Sequence, residues 1–153
     1  MAYYKKVLQP DETVKCVGIL HWSIYAHAIA FCLPAAGLLG VSLGLTGQPA
    51  LAALAVAAIF LALAVVSFLR SWYVRVTTEI VVTDKRIIYK AGWIVRRTEE
   101  INLSKVESVD VRQGIGGRIF NYGTVAIRGI GGSWEPLRRI AEPLTLRNAI
   151  VVG

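Results

Sequence analysis

Between Lys15 and Arg70 the chain carries no Lys, Arg, Asp or Glu, leaving 54 consecutive uncharged residues, Cys16 to Leu69, rich in Leu, Ala and Val. A soluble domain has no interior that hides such a run easily, whereas a bilayer takes about 20 apolar residues per helix. The run has room for two spans and a short turn. It is read as a transmembrane helical hairpin over residues 16–72, with spans at about 21–45 and 50–69.

The contents of the run refine this reading. His21, Trp22 and Tyr25 open the first span with rings suited to the headgroup layer, and Trp72 and Tyr73 close the second. Pro34 removes one helix hydrogen bond and predicts a kink. Ala36, Gly40 and Gly44 recur every four residues, a small-residue stripe that lets another helix come close. Ala53/Ala57 and Ala58/Ala62 offer matching faces on the second span. The simplest assembly packs the two spans together and leaves the unused stripe for a second copy. The run is far longer than a signal-peptide core and leads straight into a second span, so the hairpin is expected to be retained.

Charge sets the expected orientation. The turn Thr46-Gly47-Gln48-Pro49 is uncharged, Lys5, Lys6 and Lys15 precede the first span, and Arg70 and Arg75 follow the second. The positive-inside rule then puts both ends of the chain in the cytoplasm, with residues 1–15 as a short cytoplasmic tail. The formal net charge is +7, and the part from Arg70 to Gly153 holds 14 Lys and Arg against 8 Asp and Glu. Beside an anionic leaflet each nearby cation is worth about 1 kcal/mol, although positive-inside bias alone produces such an excess. No interleaving of aromatic and basic residues points to nucleic acid. Cys16 and Cys32 lie at and within the first span, and no disulfide is expected.

From Thr77 the texture changes to short β-rich segments separated by turns. Strands are expected at 78–82, 86–90, 93–103, 106–112, 124–128 and 134–140. The Gly114, Gly116, Gly117 cluster makes an irregular corner with a helical turn through Arg118-Ile119-Phe120. Glu142-Pro143 opens an amphipathic helix to about Ile150, with Pro in the first turn. The fold class expected is an α+β membrane protein. A two-helix hairpin is followed, over residues 73–153, by a small antiparallel β-sandwich or barrel capped by a C-terminal helix.

Several stretches become specific when taken together. They are Val82-Thr83-Asp84-Lys85-Arg86-Ile87-Ile88, Gly92 to Thr98, Ile101 to Gly114, Gly117-Arg118, Tyr122-Gly123-Thr124-Val125 and the closing Glu142-Pro143 helix. The combination resembles the bacterial pleckstrin-homology-like (PH-like) domain, in the family of membrane proteins that joins a hydrophobic hairpin to that domain. The resemblance covers nearly the whole chain. It implies a β-sandwich closed at one end by a helix, in a bacterial inner membrane, and no assigned biochemical activity. The eukaryotic namesake often binds phosphoinositides through basic residues on its first β-hairpin, and Lys85, Arg86 and Lys90 lie on the comparable hairpin here. The longer basic loop of such lipid binders is replaced by a tight Asp84-Lys85 turn.

Catalytic constellations are hard to find. His21 and His27 are six apart, about 120° around a helix, so haem or copper ligation would need partners from other chains. The glycine cluster lacks the Lys-Ser/Thr of a phosphate-binding loop and is read as a sheet corner. The segment after Arg70 has no His or Cys, and its carboxylates Glu99, Glu100, Glu107 and Asp110 alternate with cations as in cross-strand pairing. The expectation is therefore a non-enzymatic interaction module without metal or cofactor. Its partner is itself or a larger membrane complex, bound through the sheet and through Ala36, Gly40, Gly44, Ala53 and Ala57. The alternative is a binder of anionic lipid headgroups through Lys85, Arg86, Lys90, Arg96 and Arg97.

Overall fold

The computed structural model describes residues 7–93, 97–130, 132–133 and 136–151. The chain divides into two compact units, Trp22–Tyr73 on one hand and Met1–His21 together with Val74–Gly153 on the other. The hairpin is followed by most of the β-domain, and a short stretch of that domain precedes it. The hairpin is thus inserted into the domain.

The insertion arises because a first strand, β1 (Val14–Gly18), lies ahead of the hairpin. It pairs antiparallel with β2 (Glu79–Thr83), bringing Cys16 opposite Val82 and Gly18 opposite Ile80. Residues 14–18, expected as tail and hairpin start, belong to the sheet. In Val14-Lys15-Cys16-Val17-Gly18 the apolar residues do not alternate cleanly, and the partner strand lies 60 residues further on, so no local pattern marks it.

β3 (Arg86–Ala91) and β4 (Arg97–Asn102) complete an antiparallel sheet of order β1-β2-β3-β4. The second sheet holds β5 (Val106–Arg112), β6 (Tyr122–Gly129), β7 (Gly132–Ser133) and β8 (Leu137–Ala141). β5 pairs one edge of β6, and β7 and β8 share the other. Between β5 and β6 stands a short helix, α3 (Ile115–Ile119), numbered after the two hairpin helices described below. The closing helix α4 (Pro143–Val151) packs on β1, β2, β5 and β6. The chain beyond β1 stitches the sheets together, with Leu20 bridging Ile140, His21 N–H donating to the Arg139 carbonyl at 2.7 Å and Ala141 N–H donating to that of Ile19 at 2.9 Å.

The core is aliphatic: Ile80, Val82, Ile87, Val125, Ile127, Leu137 and Ile140 are essentially inaccessible, with Leu146 and Ile150 from α4. β2 and β3 are buried on both faces, as Val81 and Ile88 show. Such strands read as continuous β-branched runs rather than alternations. A methyl on Gly18 would stand 3.1 Å from Ile80 Cβ and 3.5 Å from Leu146 Cδ1, so glycine lets the sheet and α4 close together there.

The hairpin is formed by a 3₁₀ turn, Trp22–Tyr25, then α1 (Ala26–Gly44) and α2 (Gln48–Thr77), whose last turn from Val74 belongs to the β-domain unit. α2 continues beyond the expected 50–69. Both are long and apolar enough to cross a bilayer, and only 11% of each apolar window is buried, unlike a soluble core helix. The pairs Tyr25–Phe68 and Phe31–Phe60, and the Ser71 hydroxyl donating to the Ile24 carbonyl at 2.9 Å, run antiparallel. The buried residues of α1 are Ala28, Ala35 and Ser42, and Ala57 and Ala64 are buried on α2. Both sets recur every seven residues, the spacing of a seam between nearly antiparallel helices.

Candidate functional site

The cations singled out in the sequence do not form one patch. Arg86 is committed within the fold. Its Nε and Nη2 donate to the two carboxylate oxygens of Glu12 at 2.9 and 2.8 Å, Nη1 reaches Glu100 at 2.8 Å, and Nη2 also donates to the Val7 carbonyl at 3.0 Å. The Glu12 side chain is wholly inaccessible and also accepts from Thr83 Oγ1 at 2.8 Å and the Gln9 N–H at 3.1 Å. The Arg86 bonds above all hold its carboxyl down at about 2, against the opposing effect of burial. Thr83 and Arg86 share a sheet face with Val81 and Ile88, so this clamp lays residues 7–12 over the outer side of β2 and β3. No sequence pattern flags Glu12, because its partner is 74 positions away.

Strand register separates the remaining cations. Glu79, the first residue of β2, lies opposite Lys90, and Lys90 lies opposite Thr98. Lys90 and Arg97 therefore sit at the end of the β-domain where the chain leaves for the hairpin. Lys85 is exposed in the turn at the other end. Arg97 is paired with Glu99 at 3.3 Å. Arg96 lies outside the described residues.

The hairpin-bearing end also carries α3. Arg112 at the end of β5 faces Thr124, and Tyr122 at the start of β6 faces Ala141. His21, one residue ahead of the hairpin unit, stacks on Tyr122 with centroids 4.9 Å apart and bonds the Phe120 backbone. Burial, then the nearby Arg75, push the His21 pKa down, so the ring stays neutral near pH 7. The glycine cluster read as a corner is the short helix itself. A methyl on Gly117 would fall 2.5 Å from the Tyr122 carbonyl, and Gln113 Nε2 donates to the Gly117 and Tyr122 carbonyls at 3.2 Å each.

A shallow cleft between β1 and α4, lined by Cys16, Gly18, Glu142, Thr145 and Leu146, gathers the polar groups nearest to a reactive set. Burial and then Glu142 push the Cys16 thiol up, which keeps it protonated and a poor nucleophile. Thr145 Oγ1 donates to Glu142 at 3.4 Å, and no imidazole lines the cleft. No group of three or more His, Cys, Asp and Glu among the described residues is placed to hold a metal ion.

On the hairpin, Ala57 is buried and Ala53 half-buried in the seam, whereas Ala36, Gly40 and Gly44 face outward. A methyl on Gly40 or Gly44 meets nothing within 4 Å. The seam on α1 uses Ala28, Ala35 and Ser42 instead.

Two antiparallel sheets closed by a terminal helix, with a membrane-type hairpin, are the architecture that the sequence resemblance implies. The Bacterial PH domain family matches over residues 28–151, most of the chain. The chain belongs to the bacterial PH domain family. Its match starts beyond β1, so the strand that completes this PH-like domain lies outside the matched stretch. No curated protein and no solved structure matches the chain.

Proposed function

We propose that this bacterial PH domain protein is a non-enzymatic interaction module, anchored by its hairpin in the bacterial cytoplasmic membrane with the PH-like domain on the cytoplasmic side. The domain binds a protein partner, either a second copy or a larger membrane complex that it joins as an accessory subunit. PH-like domains are generally non-catalytic, and the Cys16 cleft has no activated nucleophile.

One observation carries this reading. β4 and β5 are consecutive strands, joined by the 3₁₀ turn Leu103–Lys105, and each pairs on one side only among the described residues. The domain thus presents two unpaired strand edges in one region, and such edges accept an added strand. The charges on β4 pair within the domain, Glu100 with Arg86 and Arg97 with Glu99. The outward Ala36, Gly40 and Gly44 stripe supplies a second contact within the membrane.

Cross-linking in native membranes followed by mass measurement of the intact complex tests the proposal. A defined complex bridged through residues of β4 or β5 is expected. A stable lone monomer refutes it.

A further inference from the structure

We propose that α3 and its flanks form a membrane-docking wedge, a second contact by which the β-domain binds the anionic surface of the bilayer that holds the hairpin. Ile115, Ile119 and Phe120 are 84%, 71% and 53% exposed on a segment of six residues. Large apolar side chains exposed together in one short segment mark a contact surface. This cluster is tied to the sheet at its base. Gly117 seats the helix on the start of β6, and Gln113 bonds both sides of the junction.

The occupant follows from position and charge. His21 bonds Phe120, stacks on Tyr122, and is followed directly by Trp22, the first residue of the hairpin unit. The wedge is therefore tied to the point where the chain turns into its membrane segment, and the bilayer surface is within its reach by connectivity. Arg112 and Arg118 are exposed beside the apolar trio, and no carboxylate occurs from Val111 to Tyr122. Glu142, whose N–H donates to the Asn121 carbonyl, is the acid packed next to the loop. Apolar side chains inserted at the headgroup boundary, flanked by arginines, are the chemistry of an interfacial anchor on anionic lipid. The proposal is independent of the strand edges and concerns the opposite end of the sheet from Lys85.

The test uses the purified full-length chain in vesicles of phosphatidylcholine and phosphatidylglycerol, with photoreactive benzoylphenylalanine at position 119 in place of Ile119. A comparison protein carries it in place of Ile130, which is 70% exposed at the other end of β6. Irradiation should give a lipid adduct several-fold more abundant from position 119 than from position 130. Equal adducts from both positions overturn the wedge. So does a product joining two chains, which would make the trio a protein interface. The Arg112→Ala, Arg118→Ala double variant should lower the adduct at position 119 by at least about two-fold, and an unchanged yield removes the arginines from the contact.

Discussion

Replacing Glu12 by Gln should release the segment that precedes the hairpin from the sheet it covers. The wild-type carboxylate accepts four hydrogen bonds, two of them from the Arg86 guanidinium, with no solvent access. Glu12→Gln keeps the shape, removes the charge and turns one acceptor into a donor that faces another donor. Breaking a buried pair costs about 3–5 kcal/mol. Arg86 keeps Glu100 and the Val7 carbonyl, which places this case at the low end. Those same bonds hold the carboxyl down from 4.5 to about 2, which corresponds to roughly 3 kcal/mol. Hydrogen exchange of β2 and β3 amides in the full-length chain at neutral pH should accelerate about a hundred-fold. The folded value lies below the unfolded one, so the Glu12 contribution is complete above pH 4.5 and lost as pH falls towards 2. The difference between wild type and variant should therefore narrow across that window. Unchanged exchange at neutral pH, or a difference that stays constant as acid is added, refutes the clamp.

Other outcomes follow from the packing. Ala57→Leu overfills the seam between the hairpin helices and should lower their thermal stability in detergent by about 1–3 kcal/mol. A methyl at Gly40 meets nothing within 4 Å, so Gly40→Ala should leave that stability intact, while weakening any complex that uses the outward stripe. Gly117→Ala drives a methyl into the Tyr122 carbonyl and should cost about 1–3 kcal/mol, visible as loss of the ring-current shift between His21 and Tyr122. Gly116→Ala, whose methyl would sit 3.4 Å from the Tyr122 hydroxyl, should be far milder. Cys16 should alkylate slowly at neutral pH, because its thiol is half-buried and held protonated, and fast labelling of the folded chain would contradict that.

The hairpin, the later strands and the closing helix were legible because each rests on local signals: a charge-free run, β-branched segments between turns, and proline at a helix start. What escaped depends on partners far along the chain. Val14–Gly18 becomes a strand only because β2 presents a matching edge. Arg86 stands among the basic residues of a hairpin, and only Glu12 turns it from a surface cation into an interior one. Two small-residue stripes were present on the first span. The four-residue spacing of Ala36, Gly40 and Gly44 drew notice, while the seam took the seven-residue spacing of Ala28, Ala35 and Ser42 that matches Ala57 and Ala64. The glycine corner is instead the helix Ile115–Ile119, because Gly117 lets it pack against the Tyr122 backbone. Its link to the hairpin runs through His21, 101 positions before Tyr122, which no local pattern marks.

The pairing of β1 with β2 has a consequence for how the protein is made. The two strands are neighbours in one sheet, yet 60 residues, the whole hairpin among them, separate Gly18 from Glu79. They can meet only if both stems of the hairpin emerge on the same face of the membrane. A chain that crossed once, or an odd number of times, would strand β1 across the bilayer from its partner and leave the Glu12–Arg86 clamp unmade. Completion of the β-domain is thus conditional on correct threading, and a mis-threaded chain leaves the β1-facing edge of β2 unpaired.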